Sequence, residues 1–343
     1  MFFRNFAFLA AAILTGFRLA NAQENRAFEL FASNEPVRIE LSFDMRKLVG
    51  QKYNDEYQKA DITLTLPDSS TESAAIRIKA RGEFRRRFCA LPPIFLNFKD
   101  ADLSHPALKG LGKVKLVTTC RYQAQYEQYL FQEYLAYRVF NELTPISYRV
   151  QLVQIRFTDV SGRSEPFEQY GFLIEETKRM AERNAAFELE TEVVPERQLD
   201  REYMTMVYVF EYLIGNTDWW VPNSHNVRIL KPKDPLDLRT YAVPYDFDFC
   251  GMVNAHYASP HDELPIERVR ERLYRGLYRT EEELREAFGH FELHKADIYR
   301  IYEDFPYLRP EQRKQSLAYL DEFYRTIQNP YKVEKEFLQA SRR

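Results

Sequence analysis

Short runs of alternating apolar and polar residues fill the chain from residue 37 to about 120, and a long turn-free stretch follows them. Val37-Arg38-Ile39-Glu40-Leu41, Ile62-Thr63-Leu64-Thr65-Leu66 and Ile76-Arg77-Ile78-Lys79 each place their apolar side chains on one face, the pattern of half-buried strands. Pro67-Asp68-Ser69-Ser70 supplies a turn between the last two. Residues 94–98 and 113–119 continue the series, so a small antiparallel sheet is expected. Residues 123–143 then carry Leu130, Tyr134, Leu135, Val139 and Leu143 at helical spacing and stop before Pro145. Two more strands, 150–157 and 170–174, bracket the loop Asp159-Val160-Ser161-Gly162-Arg163-Ser164.

Polar sequence takes over after Glu175, and helices dominate from Asp200 onward. Residues 203–214, 266–288, 293–305 and 310–327 read as helices, with short strands at 227–230 and 240–243. The order of elements predicts an α+β chain of two lobes. The first, 23–175, is an antiparallel sheet with one long helix; the second, 176–343, is mainly helical. A chain of 343 residues, 45% hydrophobic, is long enough to bury the cores this requires. It shows no internal repeat.

Residues 1–22 differ from the rest. Met1-Phe2-Phe3-Arg4 is a cationic start, residues 6–17 are apolar, and Ala20-Asn21-Ala22 has small residues where a signal peptidase needs them. This predicts export to the periplasm or the medium. Arg18 leaves an uncleaved anchor as the alternative, but no later segment is long and apolar enough to span a bilayer. Export makes the three cysteines informative. Cys89 and Cys120 flank the two strands at 94–98 and 113–119 and can meet at one end of a sheet, leaving Cys250 odd; three buried thiols are the other reading. The 48 basic and 51 acidic side chains nearly cancel, which argues against a nucleic-acid partner.

Chemistry concentrates in the second half. Ile214-Gly215-Asn216-Thr217-Asp218-Trp219-Trp220-Val221-Pro222-Asn223-Ser224-His225-Asn226 runs from a helix through a polar loop to a strand. Tyr241-Ala242-Val243-Pro244-Tyr245-Asp246-Phe247-Asp248-Phe249-Cys250-Gly251 ends the next strand in two acids. Phosphoryl transfer needs such a set: a carboxylate to orient or deprotonate the acceptor hydroxyl, and an amide with carboxylates to hold Mg²⁺. The histidines have no zinc spacing.

On these residues the chain, over roughly residues 75 to 260, resembles the CotH-type (spore-coat protein H-like) secreted atypical kinases. The resemblance implies a two-lobed protein-kinase-like fold and transfer of the γ-phosphoryl group of ATP to a protein hydroxyl with Mg or Mn. It implies Asp218 as the catalytic acid–base residue, Asn226 rather than Asn223 as a metal ligand, and Asp246, with Asp248 as a second candidate, as the metal-binding acid. It pairs a strand lysine, Lys115, with a helix acid, Glu133, near the phosphates; Lys113 and Lys99 are the alternatives for the cation. Glu175 would lie where the adenine is read. Arg81-Gly82-Glu83-Phe84-Arg85-Arg86-Arg87 stands where the family has a small, hydroxyl-rich phosphate loop, so Arg81 and Arg85 become candidate phosphate contacts. Eight positions separate Asp218 from Asn226, against about five in a protein-kinase loop, and Trp219-Trp220-Val221-Pro222 looks like the insertion. These tryptophans are either a stacking platform or a buried pair. Arg268, Arg270, Arg272 and Arg275 read as the solvated face of a helix. A non-catalytic envelope or surface binding protein is the alternative function.

Overall fold

The computed structural model describes residues 30–31, 35–191 and 194–342, and the expected signal segment lies outside them. Seven strands, β1 (Val37–Phe43), β2 (Gln58–Thr65), β3 (Thr71–Ala80), β4 (Ile94–Asn97), β5 (Lys113–Thr118), β6 (Val150–Asp159) and β7 (Phe167–Ile174), close into a barrel in the order β1-β2-β3-β4-β5-β7-β6. The β1–β2, β2–β3, β3–β4 and β5–β7 pairs are antiparallel. β1 and β6 are parallel, with Val37 opposite Val153 and Phe43 opposite Asp159.

This closed mixed barrel overturns the expected two-lobed kinase-like fold with an open antiparallel sheet lobe. Alternation along a strand reports which face is buried, not which edge finds a partner. The pair that makes the barrel mixed joins segments 116 positions apart. Closure also removes the free edges that an open sheet must protect.

A second sheet has β8 (Ala186–Glu188), β9 (Val227–Pro232) and β10 (Tyr241–Pro244) in the order β10-β9-β8, all antiparallel. Ala186-Phe187-Glu188 is too short to show an alternation by which β8 would have been found. The described α-helices are α1 (Met45–Gly50), α2 (Phe84–Phe88), α3 (Ala124–Leu143), α4 (Thr177–Arg183), α5 (Arg201–Ile214), α6 (Glu281–Leu293), α7 (Lys295–Glu303), α8 (Pro310–Ile327) and α9 (Pro330–Val333). Helix α3 is buried around most of its circumference, including Phe131, Tyr134, Tyr137 and Phe140. Such a helix belongs to a core rather than a surface, and it carries Glu133 inside.

The helix expected over 266–288 is a correction. Residues 266–280 are irregular, and α6 starts where Thr280 and Glu283 form a reciprocal capping box. A Thr-x-x-Glu signal of this kind begins a helix; upstream of it Ile266, Val269, Leu273, Tyr274 and Leu277 keep a helical spacing although the backbone there is irregular. No helix among the described residues is long and apolar enough to cross a membrane.

By contacts the chain divides into two compact units. Among the described residues, one comprises those up to Arg81, Ile94–Val114 and Gln151–Gln169; the other comprises Gly82–Pro93, Lys115–Val150 and those from Tyr170 onward. In the second unit Cys89 is joined to Cys120. The pair is buried with Tyr126, and Phe88, Tyr129 and Tyr257 pack on it. Cys250 is a buried free thiol, pushed up to about 12 by burial.

Candidate functional site

Helix α5 sets the site through its C-terminus. Asp200 caps its start by accepting from Tyr203 N–H at 2.8 Å, and Gly215 ends it in the left-handed region at φ 66°. A side chain at Gly215 would run into the Tyr319 hydroxyl, and one at Gly251 would meet the same hydroxyl and the Val269 carbonyl. The two glycines are therefore in close register: Gly251 N–H donates to Gly215 O at 2.9 Å and Met252 N–H to Ile214 O at 2.8 Å. These bonds tie the loop bearing Asp218 to the segment just after Asp248.

The orphan carbonyls at the end of α5 are answered by arginines. Arg272 donates to Tyr212 O at 3.1 Å and to Leu213 O at 3.2 Å, and Arg275 donates to Thr217 O and, at 3.0 Å, to Trp219 O. Arg270 donates to Gly251 O at 3.1 Å. These are three of the four arginines read from the sequence as a solvated face. Their partners lie 19 to 60 positions away, beyond any local pattern, and nothing along the sequence signals them.

The Asp218 loop closes on itself. Trp220 and His225 exchange backbone hydrogen bonds at 3.0 and 2.9 Å, around a 3₁₀ turn at Val221–Asn223. Asn216 Oδ1 accepts from Asp218 N–H at 3.0 Å. His225 Nε2 lies 2.9 Å from Asp218 Oδ1, and Asn226 Nδ2 donates to Asp218 O at 2.7 Å and Oδ2 at 3.1 Å. Asn226 is held at φ 52°, a strained conformation for a residue with a side chain. Its amide nitrogen is committed to Asp218, which leaves Oδ1 as the atom of that side chain able to bind a cation. The hydrogen bond to Asp218 raises the His225 pKa, against the effect of partial burial. Trp219 is buried and stacks on Tyr208 with ring centroids 5.8 Å apart; Trp220 lies under Arg275 and Arg342.

Beside this loop, Glu133 of α3 meets Asp246 and Asp248, which follow β10. One oxygen from each carboxylate lies within 4.8 Å of the others. Asp246 is at φ 67°, and its N–H donates to Tyr137 Oη at 2.8 Å. Arg85 of α2 enters the group: Nε donates to Asp248 Oδ2 at 2.9 Å and Nη2 to Glu133 Oε2. Burial pushes the Glu133 and Asp248 carboxyls up, and Arg85 pulls them back down in part. One guanidinium thus faces three carboxylates. The surplus of negative charge and the hard oxygen donors fit a divalent cation such as Mg²⁺ or Mn²⁺, with Glu133 a member of the group that was assigned from sequence only to the phosphate cation.

Glu133 is paired with Arg85, and Lys115 lies elsewhere, its ammonium 4.5 Å from the Tyr245 ring centroid and 5.3 Å from that of Tyr148. Arg228 is over the same Tyr245 ring at 4.9 Å. The Glu175 carboxylate is fully buried and accepts from Arg183 Nη2 at 3.0 Å, Arg183 Nε at 3.2 Å and Arg149 N–H at 3.1 Å. Arg81 belongs to the other compact unit, with its guanidinium over Phe95 at 5.5 Å. No protein-family model matches the chain, and no curated protein matches it significantly.

Proposed function

We propose that the chain is an exported phosphotransferase that moves the γ-phosphoryl group of ATP to a hydroxyl of a protein acceptor, with Mg²⁺ or Mn²⁺ as cofactor. The observation that carries this reading is that Asn226, on the loop that holds the Asp218 carboxylate, also has its backbone carbonyl accepting from Tyr245 N–H at 3.0 Å, directly before Asp246. A base and a set of metal-binding oxygens are thereby fixed to one another through a single residue.

In this mechanism Asp218 accepts the proton of the acceptor hydroxyl as its oxygen bonds to the γ-phosphorus, and the bond from that phosphorus to the bridging oxygen of ADP breaks. His225 and Asn226 hold the Asp218 carboxylate in one orientation for that transfer. Asp246, Asp248 and Glu133, with Asn226 Oδ1, would hold a cation, which would supply positive charge against the phosphate oxygens. The disulfide Cys89–Cys120 supports an oxidising compartment, in keeping with export.

The test is labelling of protein substrates by γ-labelled ATP with Mg²⁺ or Mn²⁺. Asp218→Asn keeps the hydrogen-bonding shape and removes the charge, so labelling should fall by a factor on the order of 100 or more while ATP binding persists. Undiminished labelling removes Asp218 from the mechanism.

A second reading, a non-catalytic binding protein, is favoured by Arg85, which already lies on two of the three carboxylates. Thermal stabilisation separates the two. A nucleotide and metal present at 100 times the dissociation constant add about 2.7 kcal/mol; no stabilisation with ATP and either metal, together with no labelling, favours the binding protein.

A further inference from the structure

The second compact unit contains a cavity of about 570 Å³ whose walls include Arg197, Arg201, Arg279, Arg342, Tyr278 and Glu196. Four cations face one carboxylate, and that carboxylate is already engaged. Glu196 Oε1 accepts from Tyr208 Oη at 2.8 Å and from Arg342 Nη2 at 2.7 Å. Arg201 is answered by Glu283. Arg197 is exposed, and Arg279 is only 4% exposed. Arg279 Nε donates to Thr205 Oγ1 at 2.6 Å and Nη1 to Tyr278 O at 3.0 Å, and its guanidinium lies 5.0 Å from the Tyr208 ring centroid. Among the described ion pairs none includes Arg279, so a buried cation has neutral partners only.

We propose that this cavity is a binding site for a small, multiply charged oxyanion, a phosphate ester or a polycarboxylate. Taking a charge out of water is costly unless an opposite charge meets it, and the ligand that fits guanidinium forks is a planar carboxylate or a phosphate, which accepts two hydrogen bonds from one fork. The volume is that of a small-molecule site rather than of a single ion. Leu199 and Leu277 add apolar wall, which suits an organic anion. This inference does not depend on the phosphotransferase reading.

The site has a built-in reporter. Arg342 lies over Trp220 at 4.2 Å, Arg275 lies over the same ring at 4.8 Å, and Arg342 Nε donates to Arg275 O at 2.5 Å. The chain has two tryptophans. The other, Trp219, stacks on Tyr208, whose hydroxyl is bound to Glu196. An anion that draws on Arg342 therefore changes the surroundings of the indoles, and through Arg275 it reaches the backbone of the Asp218 loop.

The full chain, freed of metal on a chelating resin, is titrated with pyrophosphate and with citrate, at constant ionic strength and without a soluble chelator, by tryptophan emission and by calorimetry. Saturable one-site binding of at least one of them is expected. Arg279→Gln should weaken it by about tenfold or more, as for loss of a charged hydrogen-bond donor. Arg197→Ala, at an exposed position that places no demand on folding, should weaken it several-fold, and Arg285→Ala on α6 should leave it unchanged. Binding of pyrophosphate alone assigns the site to phosphate esters, and binding of citrate alone assigns it to polycarboxylates. The proposal is overturned if neither anion saturates, or if Arg197→Ala and Arg279→Gln both bind as the parent does.

Discussion

The imidazole Nε2 of His225 lies 2.9 Å from Oδ1 of Asp218, seven positions earlier in the same loop. The contact is half-exposed on both sides, and it sets beside the proposed base an imidazole, the side chain whose charge responds to pH in the physiological range.

That pairing has a pH signature. The hydrogen bond to Asp218 raises the folded pKa of His225 above the ordinary 6.5. A raised histidine pKa means that the stabilising contribution is fully present below the unfolded value and is lost as pH rises through the folded one. The parent should therefore lose more of its melting temperature than His225→Gln as pH rises from about 6.5 upward. An imidazole titration by NMR with a midpoint at or below the ordinary value would refute the pairing.

Burial pushes the Glu133 and Asp248 carboxyls above their ordinary range. The folded chain then binds protons that the unfolded chain has released, so this contribution to stability is greatest in acid and declines as pH rises through the raised values. A divalent cation competes with those protons. Mn²⁺ is expected to bind more tightly at about pH 8 than at about pH 6, and Asp248→Asn should weaken the binding and reduce its pH dependence. Equal affinity at the two pH values in the parent counts against a metal on these carboxylates.

Arg85 and a metal answer the same negative charge. Arg85→Met leaves Glu133 and Asp248 buried without their cation, a loss of about 3 to 5 kcal/mol by analogy with broken buried ion pairs. Urea unfolding with and without Mn²⁺ checks this: the metal should stabilise the variant more than the parent. Equal stabilisation of both would mean that Arg85 and the ion do not share the site.

Gly215 combines a left-handed φ with contact against the Tyr319 hydroxyl. Gly215→Ala should cost about 1 to 3 kcal/mol from backbone strain alone, with the clash adding to it. Because the nearest atom is the hydroxyl oxygen, Tyr319→Phe in the same chain should restore part of the loss. Denaturant midpoints of Gly215→Ala, Tyr319→Phe and the double variant decide it, and no rescue would place the whole cost in the backbone.

The Cys89–Cys120 bridge closes a separation of 31 positions. Constraint of the unfolded chain by a loop of that size is worth about 3 to 4 kcal/mol. The double Cys→Ser variant should fall in stability by that order, and mass mapping of the non-reduced parent should recover the linked peptides. Free thiols at both positions after oxidative export would contradict the bridge.

What the sequence determined by itself is local. The alternation at 37–41 lies within β1, that at 62–66 runs one residue past the end of β2, and the spacing from Leu130 to Leu143 lies within α3, because periodicity registers which face of one element avoids water. The helix read from 266 shows the limit of that signal: apolar spacing continued through residues whose side chains are spent on remote carbonyls. Which elements meet was decided only by tertiary structure. The parallel pairing of β1 with β6 closes the sheet into a barrel, and Arg85 reaches Asp248 across 163 positions. Neither contact leaves a pattern along the chain, because a strand edge and a buried charge are satisfied by partners that the fold brings to them. Asp218, His225 and Asn226 lie close together in sequence and were legible as one motif. The Arg85 partner of Glu133, and the arginines that cap α5, became visible only when the orphan carbonyls and buried carboxylates that they satisfy were assembled.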